Sequence, residues 1–396
     1  MTADVGRLFA ATAEWLRSQQ YQRDGDCFVR GEFPMQLTGP VSGVDHNFLS
    51  GYALLHAATA IRTGALPDGV AAVTSTILQA GRDLPRAYQS AAGTGNWYKD
   101  YGDGLHGPCG YSWPGGLALS LRDDYDDTAV AALLGVLGHA SSVAPHASLF
   151  DDAVFDPDRH RLVPKSQRRL EITGVERNVY MSWVLSHPAP PRHDGTLRIL
   201  TVPDDNSVEL TTAANIYTAL HALGADPQAA AQRGTRRFVN RLLCHCLGKL
   251  REGDASYMDF ASSYYPRVPF APVAFLLRNE WLTGGALLED ATRTVIAGVL
   301  LHVDPHAGWR SHGFANAAYW LNSAAWAVLL GLVDAGSIGG LARSIWLHLL
   351  SQRDDSAPWP DIEFFHGAHL GNYSGRPYAA AFLLETMAVL RAAELL

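Results

Sequence analysis

CGYSWPGGLALSLRDDYDDTAVAALLGVLG, residues 109–138, changes character twice along its length. A turn rich in glycine and aromatic residues leads to four carboxylates, Asp123, Asp124, Asp126 and Asp127. An apolar run that predicts a helix from Ala129 follows. Loop followed by helix is the unit from which the chain is built. Apolar residues at three-to-four spacing predict further helices beginning near Gly6, Phe48, Val208, Ala229, Phe270, Ala291, Ala317, Ile338 and Ala379. Weaker helical patterns lie at 68–90 and 171–187. LRILTV, residues 197–202, is the best strand pattern. About twelve helices separated by long aromatic loops predict an all-α fold. The expected architecture is an (α/α)6 toroid or barrel, an inner and an outer helix layer formed by one domain over 1–396, with a weak repeat of roughly 50 residues. The basic stretch 158–171, DRHRLVPKSQRRLE, reads as a solvated surface loop.

The 396 residues are 47% hydrophobic and 18% charged, enough to bury a large core. A net charge of −8 excludes the basic footprint of a nucleic-acid binder. Four cysteines, Cys27, Cys109, Cys244 and Cys246, argue against a disulfide framework and suit a reducing compartment. The N-terminus lacks the basic and apolar regions of a signal peptide, and no apolar run is long enough to span a bilayer. A cytoplasmic protein is the expectation.

The carboxylates admit several roles. Asp126, Asp127 and Thr128 stand where a helix start favours acids, but capping needs only one or two of them. Asp123, Asp124 and Asp127 spell DDxxD, a diphosphate–magnesium pattern. Asp124, Asp126 and Asp127 spell DxDD. Crowded carboxylates raise the cost of ionising any one member, so such a set retains a proton.

The stretch 109–138 resembles the DxDD segment of class II terpenoid cyclases, the squalene–hopene cyclase and copalyl diphosphate synthase group. Residues 13–34, AEWLRSQQYQRDGDCFVRGEFP, are similar to the QxxDGxW turn of that family, with Cys27 in place of the aromatic residue. The resemblance implies proton-initiated cyclisation of a linear isoprenoid, a prenyl diphosphate or related polyene. Asp126 would be the general acid, with Asp124 and Asp127 hydrogen-bonding and tuning it. No cofactor is needed for protonation, and magnesium enters only if the substrate is a diphosphate. The partner is a small isoprenoid, with no nucleic acid and no integral membrane segment. Aromatic faces would stabilise the cation. Tyr111, Trp113, Tyr265, Trp309, Tyr319, Trp320, Phe365 and Tyr373 are candidate substrate-binding residues. His46, His312 and His366 are candidates for acid–base support.

The DDxxD pattern lacks its companion metal motif, since DDNSVELTTAAN at 204–215 has the wrong spacing. Asn206 there reads as a helix cap. Zinc held by Asp103, Cys109 and His366, in the manner of protein prenyltransferase β-subunits, lacks that family's Asp-x-Cys spacing. Cys244-His245-Cys246 would diverge on a helix. Two alternatives to the cyclase stand. One is a glycan-active toroid using Asp103, Asp126, Asp361 or Glu363. The other is a non-catalytic toroid that binds a hydrophobic ligand.

Overall fold

The structure is a computed structural model. It describes the chain apart from residues 1, 39–42, 46, 91–92, 97–116, 120–122, 141–145, 185–197, 201–204, 263–264, 267, 304–312, 354–356 and 368–370. Residues 2–4, 37–38, 43–45, 117–119, 198–200, 259, 363, 365–367 and 371–373 are described as backbone only.

In chain order the helices are α1 (Thr2–Gln19), α2 (Leu49–Arg62), α3 (Asp68–Ala80), α4 (Leu84–Ala87), α5 (Tyr125–Val136), α6 (Pro164–Thr173) and α7 (Leu210–Ala222). They continue as α8 (Ala230–Arg251), α9 (Ser256–Ala261), α10 (Ala271–Leu282), α11 (Asp290–His302), α12 (Gly313–Leu329), α13 (Ala335–Ser351) and α14 (Arg376–Ala392). Six of them close a ring, each packing on the next: α2, α5, α7, α10, α12, α14 and back to α2. These six are buried on almost every side, which is why they are apolar all round. Between them α1, α3, α6, α8, α11 and α13 form an outer layer with one buried stripe each. The expected all-α toroid of inner and outer helices is the observed fold. Its inner helices start between 42 and 85 residues apart, so a uniform 50-residue repeat is not observed.

Strict alternation of outer and inner helices makes the inner six parallel. Trp281 and Trp326, near the C-termini of α10 and α12, pack at 5.1 Å, with Arg62 from the last turn of α2 over Trp281. The N-termini therefore gather at the opposite end, the mouth. Among the described residues, short strands lie in loops that feed this end. β1 (Met35–Thr38), β2 (Gly43–Asp45), β5 (Glu363–Gly367) and β6 (Gly371–Ser374) form a sheet in the order β2-β1-β6-β5. β3 (Leu117–Leu119) pairs in parallel with β4 (Arg198–Leu200), within the stretch read as a strand.

Several local readings are corrected. The helix expected from Ala129 starts at Tyr125, so Asp126 and Asp127 lie inside its first turn and Asp124 is the N-cap. The weak helix at 171–187 is instead α6, ending at Thr173, followed by an extended segment. Asn206 does not cap a helix. Its amide holds Trp183 N and O at 2.9 and 2.8 Å. Cys27 is disulfide-bonded, although the low cysteine count had suited a reducing compartment. The aromatic missing from position 27 is supplied next door, where Phe28 stacks on Tyr21 at 4.0 Å. No described helix is long and apolar enough to cross a membrane.

The basic stretch 158–171 is not a solvated loop. It contains α6, whose Arg169 is wholly buried. The guanidinium donates to Phe260 O at 2.8 Å and Val208 O at 2.7 Å, and meets Glu209 Oε1 at 3.4 Å. One cation thereby ties an outer helix, α9 and the N-cap of α7 together. Removing it strands a buried carboxylate. Arg169→Ala is expected to cost about 3–5 kcal/mol, read as a lower urea midpoint with unchanged slope. Exposed Arg168→Ala is expected to stay within about 0.5 kcal/mol of the parent.

Candidate active site

The acid run enters the barrel between two extended segments. On one side Asp124 N donates to Gly95 O at 3.0 Å, and Gly95 N donates to Thr128 Oγ1 at 2.8 Å. A Cβ at Gly95 would stand 2.8 Å from Asp127 C and Thr128 N, so the close approach requires glycine. On the other side Tyr125 N donates to Ser182 O at 2.8 Å and Val184 N to Asp123 O at 3.0 Å. This clamp fixes where each carboxyl points.

The four acids separate. Asp123 accepts from Thr94 Oγ1 at 2.5 Å and Asn96 Nδ2 at 3.1 Å. Asp124 caps α5, accepting Asp127 N at 2.6 Å. Asp126 and Asp127 share the Tyr52 hydroxyl, at 2.9 and 3.2 Å. Asp126 Oδ2 also accepts the Tyr265 hydroxyl, and its Oδ1 accepts Asn215 Nδ2 at 2.8 Å. Asn279 Nδ2 donates to Asn215 Oδ1 at 2.8 Å, which sets the orientation of the Asn215 amide. The tuning expected of Asp124 and Asp127 is thus not direct hydrogen bonding to Asp126. Asp127 shares the Tyr52 hydroxyl with Asp126, and Asp124 accepts from Asp127 N.

Burial and mutual repulsion compete here with the α5 dipole and hydrogen bonds. Desolvation is the larger influence on all three acids. It pushes Asp124 up to about 8, helped by the charge of Asp126 and opposed by the capping bond. It holds Asp127 well above the ordinary carboxyl range, with the charges of Asp124 and Asp126 adding to it. Asp127 Oδ2 is buried without a hydrogen-bond partner. Asp126 is also raised by burial, against the three donors that favour its anion.

Aromatic rings fill the barrel below. Phe364, on β5, packs 4.9 Å from Tyr52, 5.5 Å from Tyr265 and 4.8 Å from Tyr378. Phe275 lies 5.2 Å from Tyr265 and 5.8 Å from Tyr319. Of the aromatic candidates, Tyr265 contacts the acid and Tyr319 belongs to the deeper interior. Trp320 is buried on α12 about 100° round the helix from Tyr319, so the two do not share a face. Tyr111, Trp113, Trp309, His46 and His312 lie outside the described residues. Phe365, His366 and Tyr373 fall on β5 and β6, whose backbones pair Phe365 with Tyr373.

Sequence reading missed Tyr52, Asn215 and Phe364, and a second buried centre formed by His56, Glu385 and Arg278. The available signal was a lone polar or charged residue inside an all-apolar inner helix, such as Glu385 in RPYAAAFLLETMAVLRA. Among the described residues no group of three or more His, Cys, Asp or Glu side chains is arranged to hold a metal ion. Cys244 and Cys246 are free; Cys246 is buried, and burial pushes its thiol up to about 12.

No protein-family model matches the chain, and no curated protein is similar to it in sequence. Solved structures share its fold, the following two among them. One is a protein from Actinoplanes, at 12% identity and a TM-score of 0.56, covering 100% of both chains. The other is an Asp-to-Asn variant of the type II terpene cyclase MstE from Scytonema, in complex with its substrate geranylgeranyl dihydroxybenzoate. It is 12% identical with a TM-score of 0.52, covering 99% of this chain and 98% of that one. The chain shares its (α/α) toroid fold with both structures.

The raised carboxyls have a consequence for stability. Unfolded aspartates ionise near 3.8, whereas Asp124 in the fold holds its proton to about 8. Between those values the native state binds more protons than the unfolded state. The contribution of this set is full below pH 4 and is lost as pH rises towards 8, at roughly 1.4 kcal/mol per pH unit for each retained proton. Urea unfolding from pH 4.5 to 8 is expected to show a flatter pH dependence for Asp124→Asn, which keeps the cap.

Proposed function

We propose that the protein is a class II terpenoid cyclase that protonates a linear isoprenoid with Asp126 and cyclises it. The observation that carries this reading is the setting of Asp126. It is a buried acid held among other proton-retaining carboxyls, adjoining a barrel interior filled with aromatic rings.

Burial, with the charge of Glu209 adding to it, favours the protonated form of Asp126 before substrate arrives. In that state Oδ1 accepts from Asn215, and the acidic proton on Oδ2 points to a tyrosine oxygen. Proton transfer to an alkene or epoxide forms a C–H or O–H bond and leaves a cation. It also leaves a carboxylate, which Asn215, Tyr52 and Tyr265 stabilise as donors once the hydroxyls rotate. The anion is thus stabilised where it forms, so a retained proton can still be a strong one. The cation forms beside aromatic faces, each worth about 0.5–2 kcal/mol.

The DDxxD reading is less well supported, because Asp123, Asp124 and Asp127 bond to three different partner sets. If the substrate carries a diphosphate, magnesium would serve its head group. No described residue cluster is assigned to it. The glycan reading fits poorly with an interior packed by rings. Asp361 is engaged by Ser374 at 2.7 Å, and no described hydrogen bond joins it to the acid cluster.

The test is a mass-spectrometric product screen. The substrates are prenyl diphosphates of increasing length, squalene, and a prenylated dihydroxybenzoate of the kind bound to MstE. A cyclic product that retains its head group is expected. Asp126→Asn should reduce its formation by about 10²–10⁴-fold. Cyclic hydrocarbon with diphosphate release, surviving in the variant, would sink the proposal.

A further inference from the structure

Deeper in the barrel lies a second proton-handling group that the proposed initiation step does not use. Glu385, in the third turn of α14, accepts Trp326 Nε1 at 3.1 Å and Asn322 Nδ2 at 3.4 Å on Oε1. Its Oε2 stands 2.7 Å from His56 Nδ1. His56 Nε2 meets the Tyr378 hydroxyl at 3.4 Å, and Tyr378 meets the Tyr319 hydroxyl at 2.9 Å. All five side chains that carry this chain of contacts (Trp326, Glu385, His56, Tyr378 and Tyr319) are at most 1% exposed.

The geometry sets the tautomer. An ionised carboxylate only accepts, so the imidazole carries its hydrogen on Nδ1 and leaves Nε2 bare. Burial lowers the affinity of His56 for a second proton, while His56 and Arg278 hold Glu385 ionised despite its burial. Arg278 Nη1 is 3.5 Å from His56 Nδ1, so a cation opposes lasting protonation of the ring. Neutral His56 beside ionised Glu385 is a base with its lone pair directed at Tyr378.

Tyr378 faces the aromatic interior. Its ring is 4.8 Å from Phe364, and Phe364 packs on Tyr52 and Tyr265, both bonded to Asp126. Phe364 therefore contacts both the tyrosines that bond Asp126 and the tyrosine of the relay.

We propose that Tyr378, backed by His56 and Glu385, takes the proton that ends the reaction. The proposal rests on the reading of the chain as a proton-initiated cyclase. A C–H bond next to the final cation breaks, and its electron pair closes a C=C bond. The proton passes to Tyr378 Oη as the hydroxyl's own proton moves to His56 Nε2. The result is an imidazolium paired with Glu385. One proton is given by Asp126 and one is recovered, so nothing is oxidised or reduced. Tyr378 is the catalytic residue, and His56 and Glu385 act through it.

The test compares Tyr378→Phe and Glu385→Gln with the parent on whichever substrate the parent cyclises, after circular dichroism shows both variants folded. Initiation is read as Asp126-dependent substrate consumption, and termination as the product ratio. The normal alkene is expected to fall at least tenfold relative to isomeric alkenes and water-captured alcohols, while consumption falls less. An unchanged product ratio in folded variants, at any rate, assigns these residues to structure and overturns the proposal. Nitrogen-15 NMR of the unliganded protein should show His56 as the Nδ1–H tautomer near neutral pH. A proton on Nε2 overturns the relay independently of turnover. If the parent forms no cyclic product, the cyclase reading itself fails, and the assignment of a terminating base falls with it.

Discussion

The burial of the N-terminus of α5 is the constraint on which the site depends. Closing six inner helices into a ring puts that terminus, with its acids, out of water. A helix start favours a nearby anion by about 0.3–1 kcal/mol when exposed and about 2 kcal/mol when partly buried. Burying an unpaired carboxylate costs several kcal/mol. The dipole loses that comparison, so the buried carboxyls keep protons instead of ionising together. The upward shift of their pKa values follows from the architecture, and the clamp by Gly95 and by 182–184 fixes the backbone of the run.

Elsewhere the barrel buries charge in compensated sets. Arg169 meets Glu209, Arg293 meets Glu280, and Glu385 is served by His56 with Arg278 close by. None of these cations bonds the acid cluster. Tyrosine and asparagine surround Asp126 instead, donors without formal charge. An arginine there would hold the carboxyl ionised. The division explains how one interior can hold proton-retaining acids near the mouth and an ionised carboxylate in its depth.

Much of the fold was legible because helical periodicity is local. Each of the ten strong apolar patterns lies on an observed helix, and the acid run was visible as a motif. The start of α5 was misplaced because Tyr125, Asp126 and Asp127 look like a polar approach until Asp124 is recognised as the cap. α6 was read as solvent-exposed because arginine is usually exposed, and only the distant Glu209 and Phe260 make Arg169 a core residue. Tyr52, Asn215 and Tyr265 converge on Asp126 from three segments far apart in sequence, with Asn279 behind Asn215. No pattern along one chain announces such a convergence. His56 and Glu385 were partly legible, since an isolated ionisable residue on a helix apolar all round has to find a partner inside.

The two ends of the ring also differ electrostatically, and the difference bears on how a cation could survive inside it. Parallel inner helices turn six N-termini toward the mouth, a direction that favours negative charge there. The opposite end is closed by Trp281 and Trp326, with Arg62 in the last turn of α2, where a cation suits the dipole. On the proposed cyclase reading, the carboxylate that Asp126 would leave after proton transfer would form at the end that helix dipoles stabilise. The cation left on the substrate gains nothing from those dipoles. Its stabilisation falls to the faces of Tyr52, Tyr265, Phe275 and Phe364, which pack on one another in the interior that Asp126 adjoins. Separating the two charges in this way lets one helix ring favour both the loss of the proton and the ion that the loss creates.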